Sequence, residues 1–186
     1  RSTATQSVKN QVDTWKNTVN SLSSEAEKVK MIHDLIVQKV DYNTDIYGNS
    51  FNEDTAYTQS VYSVFCMDKT VCAGYAQAFE MMCNGVGVDC IAVTSDDHEW
   101  NKVRINDSWY NVDCTWADQS TIDYEYFERS DAVYDADLAS YASSHAEESY
   151  WSEYLPACTL DSGATYSDPG TLPTITPVSY THLTLP

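Results

Sequence analysis

The sequence predicts an α+β fold, in which a run of helices is followed by a run of strands. Apolar residues recur at helical spacing from the N-terminal region to Cys83. Short apolar stretches bounded by turn residues follow, from Val88 to Asp113. With 186 residues, of which 42% are hydrophobic, the chain is long enough to form one domain around its own core.

Four helices are predicted in the first half of the chain, each from its own signal. Apolar residues spaced by three and four predict the first helix over residues 8–19. A capping-box pattern opens the second predicted helix, over residues 24–40. A third helix is predicted over residues 56–65. The fourth, over residues 71–83, is mostly apolar and is therefore expected at the centre of the domain.

Strands are predicted in the region that follows. The first covers residues 88–94, and two more cover residues 100–105 and 109–113. The last two are expected to form a hairpin, because the residues between them favour a tight turn. A further helix is predicted over residues 131–145.

Charge and composition exclude several classes of function. The chain has 28 acidic and 10 basic residues, so its net charge of −18 repels phosphate backbones and anionic lipids, and no nucleic-acid partner is expected. Its apolar runs fall short of the ~18–20 residues that a membrane span needs, so no membrane insertion is predicted. The spacing of Cys, His and acidic residues matches neither a zinc site nor a calcium loop, so no metal or cofactor is predicted. The acidic, Ser- and Thr-rich composition favours an extracellular or cell-surface location, with the cytoplasm as the alternative.

Histidine is scarce in this sequence, which narrows the search for a catalytic base. His33 lies on the apolar stripe of the second predicted helix and is interpreted as structural. His145 is predicted to close a helix, where it would interact with the C-terminal dipole, and is also interpreted as structural. His98, beside Trp100 at the start of a predicted strand, remains as the candidate base.

Cys72 is the candidate nucleophile. It falls in the first turn of the predicted central helix, with Thr70 as the expected N-cap. A helix N-terminus stabilises a thiolate, which is the nucleophilic form of cysteine. The alternative is that Cys72 forms half of a disulfide or is a small core residue.

The hairpin spacing predicts a contact between His98 and an acidic residue. A two-residue turn after Ile105 places Asp113 opposite Trp100. Because side chains alternate along a strand, His98 lies on the same face, diagonally opposite Asp113. With Cys72 facing this pair, the three residues follow the nucleophile, base and orienting-carboxylate logic of a cysteine triad.

Three motifs together resemble a known family. They are VCAGYA at residues 71–76, HEWN at residues 98–101 and WYNVDCTW at residues 109–116. Their residues and order are similar to the core of the transglutaminase-like superfamily of papain-type thiol enzymes, including its bacterial members. The likeness extends over residues 25–160, and the combination of three linked motifs is far more specific than any one of them.

This resemblance implies a papain-like, or transglutaminase-like, core in which helices pack against a small antiparallel sheet. It also implies that Cys72, His98 and Asp113 are catalytic and that the substrate is a protein or peptide. The resulting hypothesis is a thiol acyl-transfer enzyme that acts on amide bonds, as a cysteine peptidase or amidase. Three alternatives stay open: a protein-glutamine gamma-glutamyltransferase, a catalytically silent cell-surface binding module, and a disulfide-stapled structural domain of a larger surface protein.

Six further residues are candidates for the surroundings of the site. Gln59 and Tyr62 are candidates for the side chain that completes the oxyanion hole. The candidates for lining the substrate cleft are Tyr75, Trp100, Asn101 and Trp116. For the tryptophans, packing within the sheet is the favoured interpretation, and lining the cleft is the alternative.

The remaining cysteines leave a disulfide open. Cys83 and Cys90 lie on either side of a predicted helix-to-strand turn, so a bridge between them is one of two equal alternatives. Cys114 directly follows Asp113, so strand alternation points it away from His98 and into the core.

Changes in residue composition and patterning along the sequence suggest four regions. Residues 1–23 are expected to form an N-terminal helix of this or a preceding region, and residues 24–155 the transglutaminase-like domain. Residues 156–177 are rich in Pro, Ser and Thr and are predicted to be a linker or tail. Residues 178–186 follow no pattern of the rest and are interpreted as a non-native read-through tail.

Overall fold

A computed structural model describes residues 2–44, 57–137, 145–147, 152–173 and 175. Six α-helices and six β-strands lie in these residues, followed by a short 3-10 turn at Ser152–Tyr154. The helices are α1 (Ser2–Val19), α2 (Glu25–Lys39), α3 (Val61–Cys66), α4 (Cys72–Gly85), α5 (Cys114–Ala117) and α6 (Asp131–Asp137). The strands are β1 (Asp41–Tyr42), β2 (Lys69–Thr70), β3 (Cys90–Thr94), β4 (Glu99–Ile105), β5 (Ser108–Val112) and β6 (Phe127–Arg129).

The main sheet is antiparallel, with strand order β3-β4-β5-β6. The predicted hairpin is present, since Ile105 pairs with Ser108 and Asn101 pairs with Val112. Asn106 and Asp107 form its two-residue turn, and both have positive φ angles, of 48° and 69°. Asn and Asp tolerate this left-handed conformation better than other non-glycine residues, which explains why the chain turns here.

The main core lies between the helices and one face of the sheet. The central helix α4 buries Tyr75, Phe79 and Met82 completely. These residues belong to one cluster with apolar residues of α1, α2 and the strands, including Val103 of β4. This arrangement confirms the predicted α+β fold, in which helices pack on a small antiparallel sheet.

The opposite face of the sheet has a smaller apolar cluster of its own. Trp100 of β4 packs there with Val93 of β3 and Tyr134 of α6. Because Trp100 and Val103 are an odd number of residues apart on β4, they point to opposite faces. Both faces of the sheet are therefore covered, and the residues on the second face surround the site described below.

The ends of the predicted helices are only partly confirmed. The capping box of α2 is present, because Ser24 Oγ accepts the Glu27 N–H at 3.2 Å and Glu27 accepts the Ser24 N–H at 3.1 Å. The third helix begins at Val61, later than predicted, because residues 57–60 form a turn in which both the N–H and the hydroxyl of Ser60 donate to the Tyr57 carbonyl. Residues 138–144 of the last predicted helix lie outside the described residues.

Three short strands were not predicted from the sequence. β1 and β2 form a two-residue parallel pair, and β6 adds a three-residue edge to the main sheet. Stretches of two or three residues are too short to display the alternation by which strands are recognised.

The Pro-, Ser- and Thr-rich segment lies against the domain over its described part. Residues 156–173 contain no regular secondary structure, yet their polar groups are bonded to the domain. Cys158 N–H donates to Asp131 at 2.8 Å, and Asp168 accepts the Ile122 N–H at 3.0 Å. The composition indicates a linker or tail, but this stretch is held along the surface of the domain. The proposed read-through tail lies outside the described residues.

None of the helices in the described ranges is both long and apolar enough to cross a membrane.

Gly74 provides a test of the packing beneath Cys72. A Cβ atom at this position would lie 1.9 Å from Thr70 Oγ1 and 2.9 Å from the Thr58 carbonyl oxygen. Gly74→Ala is therefore expected to lower the free energy of unfolding by about 1–3 kcal/mol, because the core must shift to admit the methyl group. Urea unfolding at pH 7 measures the change.

Gly85→Ala, at the other end of α4, is the matched control. Its added Cβ would approach only the flexible Lys16 side chain, at 3.3 Å, so the free energy of unfolding is expected to stay within about 0.5 kcal/mol of wild type. An equal loss in both variants would contradict the packing described around Gly74.

Candidate active site

Asp113 lies at the junction of β5 and α5, where it is the N-cap of the helix. Its Oδ1 accepts the backbone N–H groups of Thr115 at 2.8 Å and Trp116 at 3.1 Å. Aspartate suits this position because its short side chain reaches the free N–H groups of the first helical turn. The carboxylate is only 1% exposed, so these two bonds fix one of its oxygens within the protein.

His98 contacts the other oxygen of this carboxylate. Its Nε2 lies 2.6 Å from Asp113 Oδ2. The backbone of His98 is held by Ser95, whose hydroxyl accepts the His98 N–H at 3.1 Å and whose N–H donates to the His98 carbonyl at 3.0 Å. The contact that the hairpin spacing predicts is therefore present, and the turn before β4 fixes the position of the ring.

Cys72 is the first residue of α4 and is partly exposed. Its side chain interacts with the ring of His98 and contributes to the raised pKa of that histidine. Since Nε2 of this ring faces Asp113, Nδ1 is the nitrogen left for the thiol. The three residues that the sequence singled out therefore form one chain of contacts.

The expected cap of α4 is wrong. The N-cap residue is Val71, and it has no side-chain capping bond. Thr70 uses its hydroxyl elsewhere: it donates to the Thr58 carbonyl at 3.0 Å and lies 2.6 Å from Ser63 Oγ. The Thr70 side chain therefore connects the residues before α4 to α3 and to the turn that precedes α3, and it does not cap α4.

Electrostatics favour a charged imidazole beside the thiol. Burial lowers the pKa of His98, but the Asp113 charge and its hydrogen bond, together with Cys72, outweigh burial and raise this pKa to about 10. Burial raises the pKa of Asp113, but the charge of His98 and the hydrogen bonds from two histidines hold it well below its usual range. At neutral pH the pair is therefore an imidazolium and a carboxylate.

A second histidine contacts the same carboxylate. His145 Nε2 lies 2.9 Å from Asp113 Oδ2, and the ring is fully buried. The sequence-based interpretation placed His145 at the end of a helix as a structural residue and missed this contact. No periodicity relates residues 113 and 145, which are 32 positions apart, so only the three-dimensional fold brings them together.

Two of the predicted cleft residues are part of the core. Tyr75 is fully buried, and its hydroxyl donates to the Val40 carbonyl at 3.1 Å and to Asp118 at 2.6 Å. Asn101 is also fully buried, and its amide donates to the Ala76 carbonyl at 3.0 Å. A cleft residue must be accessible to substrate, so the prediction is wrong for both. Each instead links α4 to neighbouring elements.

The two tryptophans lie beside the histidines. Trp100 is stacked on His98, with ring centroids 6.1 Å apart and planes 16° apart, and donates its indole N–H to Asn111 at 3.1 Å. It is buried, so it packs behind the imidazole, as the favoured interpretation has it. Trp116 is partly exposed, with its ring 6.3 Å from that of His98, and stays a candidate for contact with substrate.

Gln59 and Tyr62 stay predictions as oxyanion-hole donors. Gln59 is exposed on the turn before α3. Tyr62 is partly buried, with its ring 5.6 Å from that of Tyr57, and it lines a groove against α1.

The proposed Cys83–Cys90 disulfide is wrong, since all six cysteines are free thiols. Burial, and after it the neighbouring Cys90 side chain, raises the pKa of Cys83. The side-chain amide of Asn84 forms two hydrogen bonds with the backbone of Cys90: it accepts the Cys90 N–H at 3.0 Å and donates to the Cys90 carbonyl at 2.9 Å. These bonds hold the helix-to-strand turn without a covalent link. Cys114 is buried, as predicted.

His98, Asp113 and His145 are also the one group of potential metal ligands found among the described residues, with donor atoms within 4.8 Å of one another. Nε2 of His98 and Nε2 of His145 each lie at hydrogen-bond distance from the same oxygen, Asp113 Oδ2. A metal ligand would need unprotonated nitrogens aimed at a shared centre about 2 Å away. The contacts fit a hydrogen-bonded network and not a metal site.

Comparison with known proteins agrees with this fold and places the chain in a family. The profile of the Transglutaminase-like superfamily matches residues 13–114, more than half of the chain. This range contains Cys72, His98 and Asp113, but not His145. The chain belongs to the transglutaminase-like superfamily.

Similar individual proteins cover smaller parts of the chain. Over 110 residues, 50% of this chain, it is 29% identical to the kyphoscoliosis peptidases of Mus musculus and Homo sapiens. The match spans 16% of the length of each relative. A solved crystal structure of a TGase superimposes with a TM-score of 0.50 at 16% identity, covering 61% of this chain and 31% of that one. This structural likeness concerns the fold alone.

The raised pKa of His98 predicts a pH-dependent stability. A histidine whose pKa is raised by folding stabilises the protein fully below its unfolded value of about 6.5, and this stabilisation is lost as the pH rises through the folded value. Two proteins are compared, Cys72→Ala and the double variant Cys72→Ala/His98→Gln, so that the thiol does not titrate. The difference between their free energies of unfolding is expected to shrink by at least about 1 kcal/mol between pH 6 and pH 10.

Urea unfolding at several pH values measures this difference. Tyrosines and the other cysteines titrate in both proteins, so their contributions cancel. A difference that does not change with pH would contradict a charged His98–Asp113 pair.

Proposed function

We propose that this protein is a thiol acyl-transfer enzyme that hydrolyses amide bonds of proteins or peptides. The observation that carries the proposal is the partly exposed Cys72 thiol, which interacts with an imidazole that a buried carboxylate keeps charged. A thiol beside an imidazolium ionises more readily, and the thiolate is the nucleophile. Membership of the transglutaminase-like superfamily supports the same class of chemistry.

The reaction follows from the order of the contacts. The Cys72 thiolate attacks the amide carbonyl carbon and forms a C–S bond, and His98 gives its proton to the nitrogen of the leaving amine as the C–N bond breaks. Water then attacks the thioester, with His98 accepting a proton from the water, and the C–S bond breaks to release the acid and the thiolate. Asp113 orients the ring and balances its charge throughout.

The start of α4 supplies a place for the developing oxyanion. The first backbone N–H groups of a helix lack intrahelical partners, and Cys72 is the first residue of this one. Donors at this position, close to the thiol, stabilise negative charge on a carbonyl oxygen under attack. Gln59 and Tyr62 are the proposed side-chain contributors.

Water is the proposed acceptor of the acyl group because the two curated relatives are named as peptidases. If an amine attacked the thioester instead, the same residues would catalyse gamma-glutamyl transfer. The chemistry at Cys72 is common to both outcomes and is therefore tested first.

Selective alkylation of Cys72 tests the nucleophile directly. At pH 6, iodoacetamide is expected to modify Cys72 at least ~10-fold faster than Cys66, because an ordinary thiol with a pKa of about 8.5 is almost entirely protonated there. Cys66 is the matched internal control, since both residues are partly exposed and burial raises the pKa of Cys66. Mass spectrometry of peptides after timed quenching gives both rates.

Substitution of Cys72 tests whether this thiol performs catalysis. On a peptide library or a denatured protein, Cys72→Ser is expected to lose at least ~10³-fold in kcat/KM with an unchanged unfolding transition, because the hydroxyl is a far weaker nucleophile at neutral pH. Cys66→Ser should keep wild-type activity. A Cys72 that reacts no faster than Cys66 would contradict the proposal and favour the binding-module alternative.

A further inference from the structure

Asp113 Oδ2 is shared by two imidazole rings that come from distant parts of the chain. His98 Nε2 lies 2.6 Å from this oxygen and His145 Nε2 lies 2.9 Å from it. The ring centroids of the two histidines are 5.3 Å apart, with their planes inclined by 58°. The proposed reaction uses only the first of these contacts.

We propose that His145 is a positioning residue of the site: its Nε2–H donates to Asp113 Oδ2 and holds the carboxylate in the orientation that serves His98. The inference rests on the proposed function, because it concerns how the base beside Cys72 is held. It assigns a role to a residue that lies beyond the matched family region.

The direction of the hydrogen bond follows from the partners. An ionised carboxylate only accepts hydrogen bonds, so the His145 nitrogen that faces Asp113 carries a proton. Its other ring nitrogen, Nδ1, is buried without a hydrogen-bond partner in the described part of the chain. Burying an unprotonated Nδ1 without a hydrogen-bond partner costs less free energy than burying an N–H without one. The contacts therefore favour the tautomer with its proton on Nε2.

The surroundings of His145 keep its contact with Asp113 dry and fixed. Four aromatic rings enclose the imidazole, with centroids 4.4–5.3 Å from its own. They belong to Trp100, Trp116, Tyr126 and Tyr134. A hydrogen bond to a charge is stronger in such a low-dielectric environment, where water does not compete for the carboxylate.

The backbone that carries His145 is anchored to the sheet close by. Glu147, two residues further on, forms an ion pair with Lys102 of β4. The Lys102 ammonium is almost fully buried and also contacts Asp131 Oδ1 and the Pro156 carbonyl, both at 3.1 Å. His98 directly precedes β4 and lies four residues before Lys102, so alternation along the extended chain places the two side chains on the same face of the sheet. The anchor and the imidazole thus reach the face on which Asp113 meets His98.

Removing the His145 donor would make the Cys72 thiolate less stable. Asp113 Oδ1 is fixed by two backbone N–H groups, so without His145 only His98 would hold Oδ2. The Asp113 carboxylate would be less well oriented, and it would take up a proton at a higher pH than in wild type. Both changes make the His98 imidazolium less stable, and this imidazolium stabilises the Cys72 thiolate. The other titratable groups that face the carboxylate are Cys114, which follows it in the chain, and Tyr134 of α6.

The test is the pH profile of Cys72 alkylation between pH 4 and pH 9 in four proteins: wild type, His145→Gln, His145→Leu and His33→Gln. Glutamine retains an N–H donor at about the position of Nε2, whereas leucine fills the space without a donor. His33→Gln is the matched control, because His33 is also fully buried and contacts an aspartate at 2.9 Å, but its partner is Asp34 and not Asp113.

The proposal predicts that His145→Leu moves the acid limb of the profile up by about one pH unit or more, which corresponds to the loss of one hydrogen bond to a charged group. His145→Gln should recover at least half of this shift, and His33→Gln should leave the profile unchanged. Equal profiles for wild type and His145→Leu, or equal shifts for the leucine and glutamine variants, would overturn the positioning role.

A second measurement keeps the test valid if His145→Leu does not fold. In ¹⁵N-labelled wild type, the His145 Nε2–H should give a slowly exchanging downfield proton signal that disappears in His145→Gln. Its absence from wild type would overturn the proposal. Failure of the proposed function is distinguishable, because in that case Cys72 of the wild type would itself react like an ordinary thiol, whatever stands at residue 145.

Discussion

The buried carboxylate of Asp113 is the interaction on which the site depends. An isolated charge inside a protein is costly, and the cost is offset only when every lone pair finds a donor. Asp113 accepts four hydrogen bonds, from the backbone N–H groups of Thr115 and Trp116 and from the rings of His98 and His145. These donors come from the residue that precedes β4, from the helix α5 and from a segment beyond α6, so one charge connects three parts of the chain. The same charge keeps His98 protonated beside Cys72.

The part of the site that the sequence predicts is the part fixed by local geometry. A two-residue turn after Ile105 determines which residues of the hairpin share a face, and this parity is sufficient to bring His98 to Asp113. The capping box likewise depends on local spacing, because Ser24 and Glu27 are three positions apart in the chain. The family motifs add Cys72 to the pair, because they occur in the order of the family. In the hairpin and in the capping box, the interacting residues are linked by a short, regular piece of chain.

The part that the sequence does not predict depends on contacts between distant segments. His145 lies 32 residues from Asp113, with α5, β6 and α6 between them, and no single helix or strand contains both residues. Neither alternation nor helical spacing can therefore indicate the contact. Thr70 is a good N-cap residue by type, but the carbonyl of Thr58 offers its hydroxyl another partner. Tyr75 lies close to Cys72 in sequence, yet the helical turn directs its side chain into the core. In all three cases tertiary contacts decide between partners that are equally plausible locally.

The role of Asp113 is best tested by the protonation state of His98. A ¹⁵N NMR titration of the histidine rings from pH 5 to pH 10.5, with His98→Gln to assign the signals, measures it without a substrate. We expect His98 to remain an imidazolium at pH 8, since the Asp113 charge raises its pKa to about 10. A His98 that loses its proton between pH 6 and pH 7, as an unperturbed histidine does, would show that the carboxylate does not control the base.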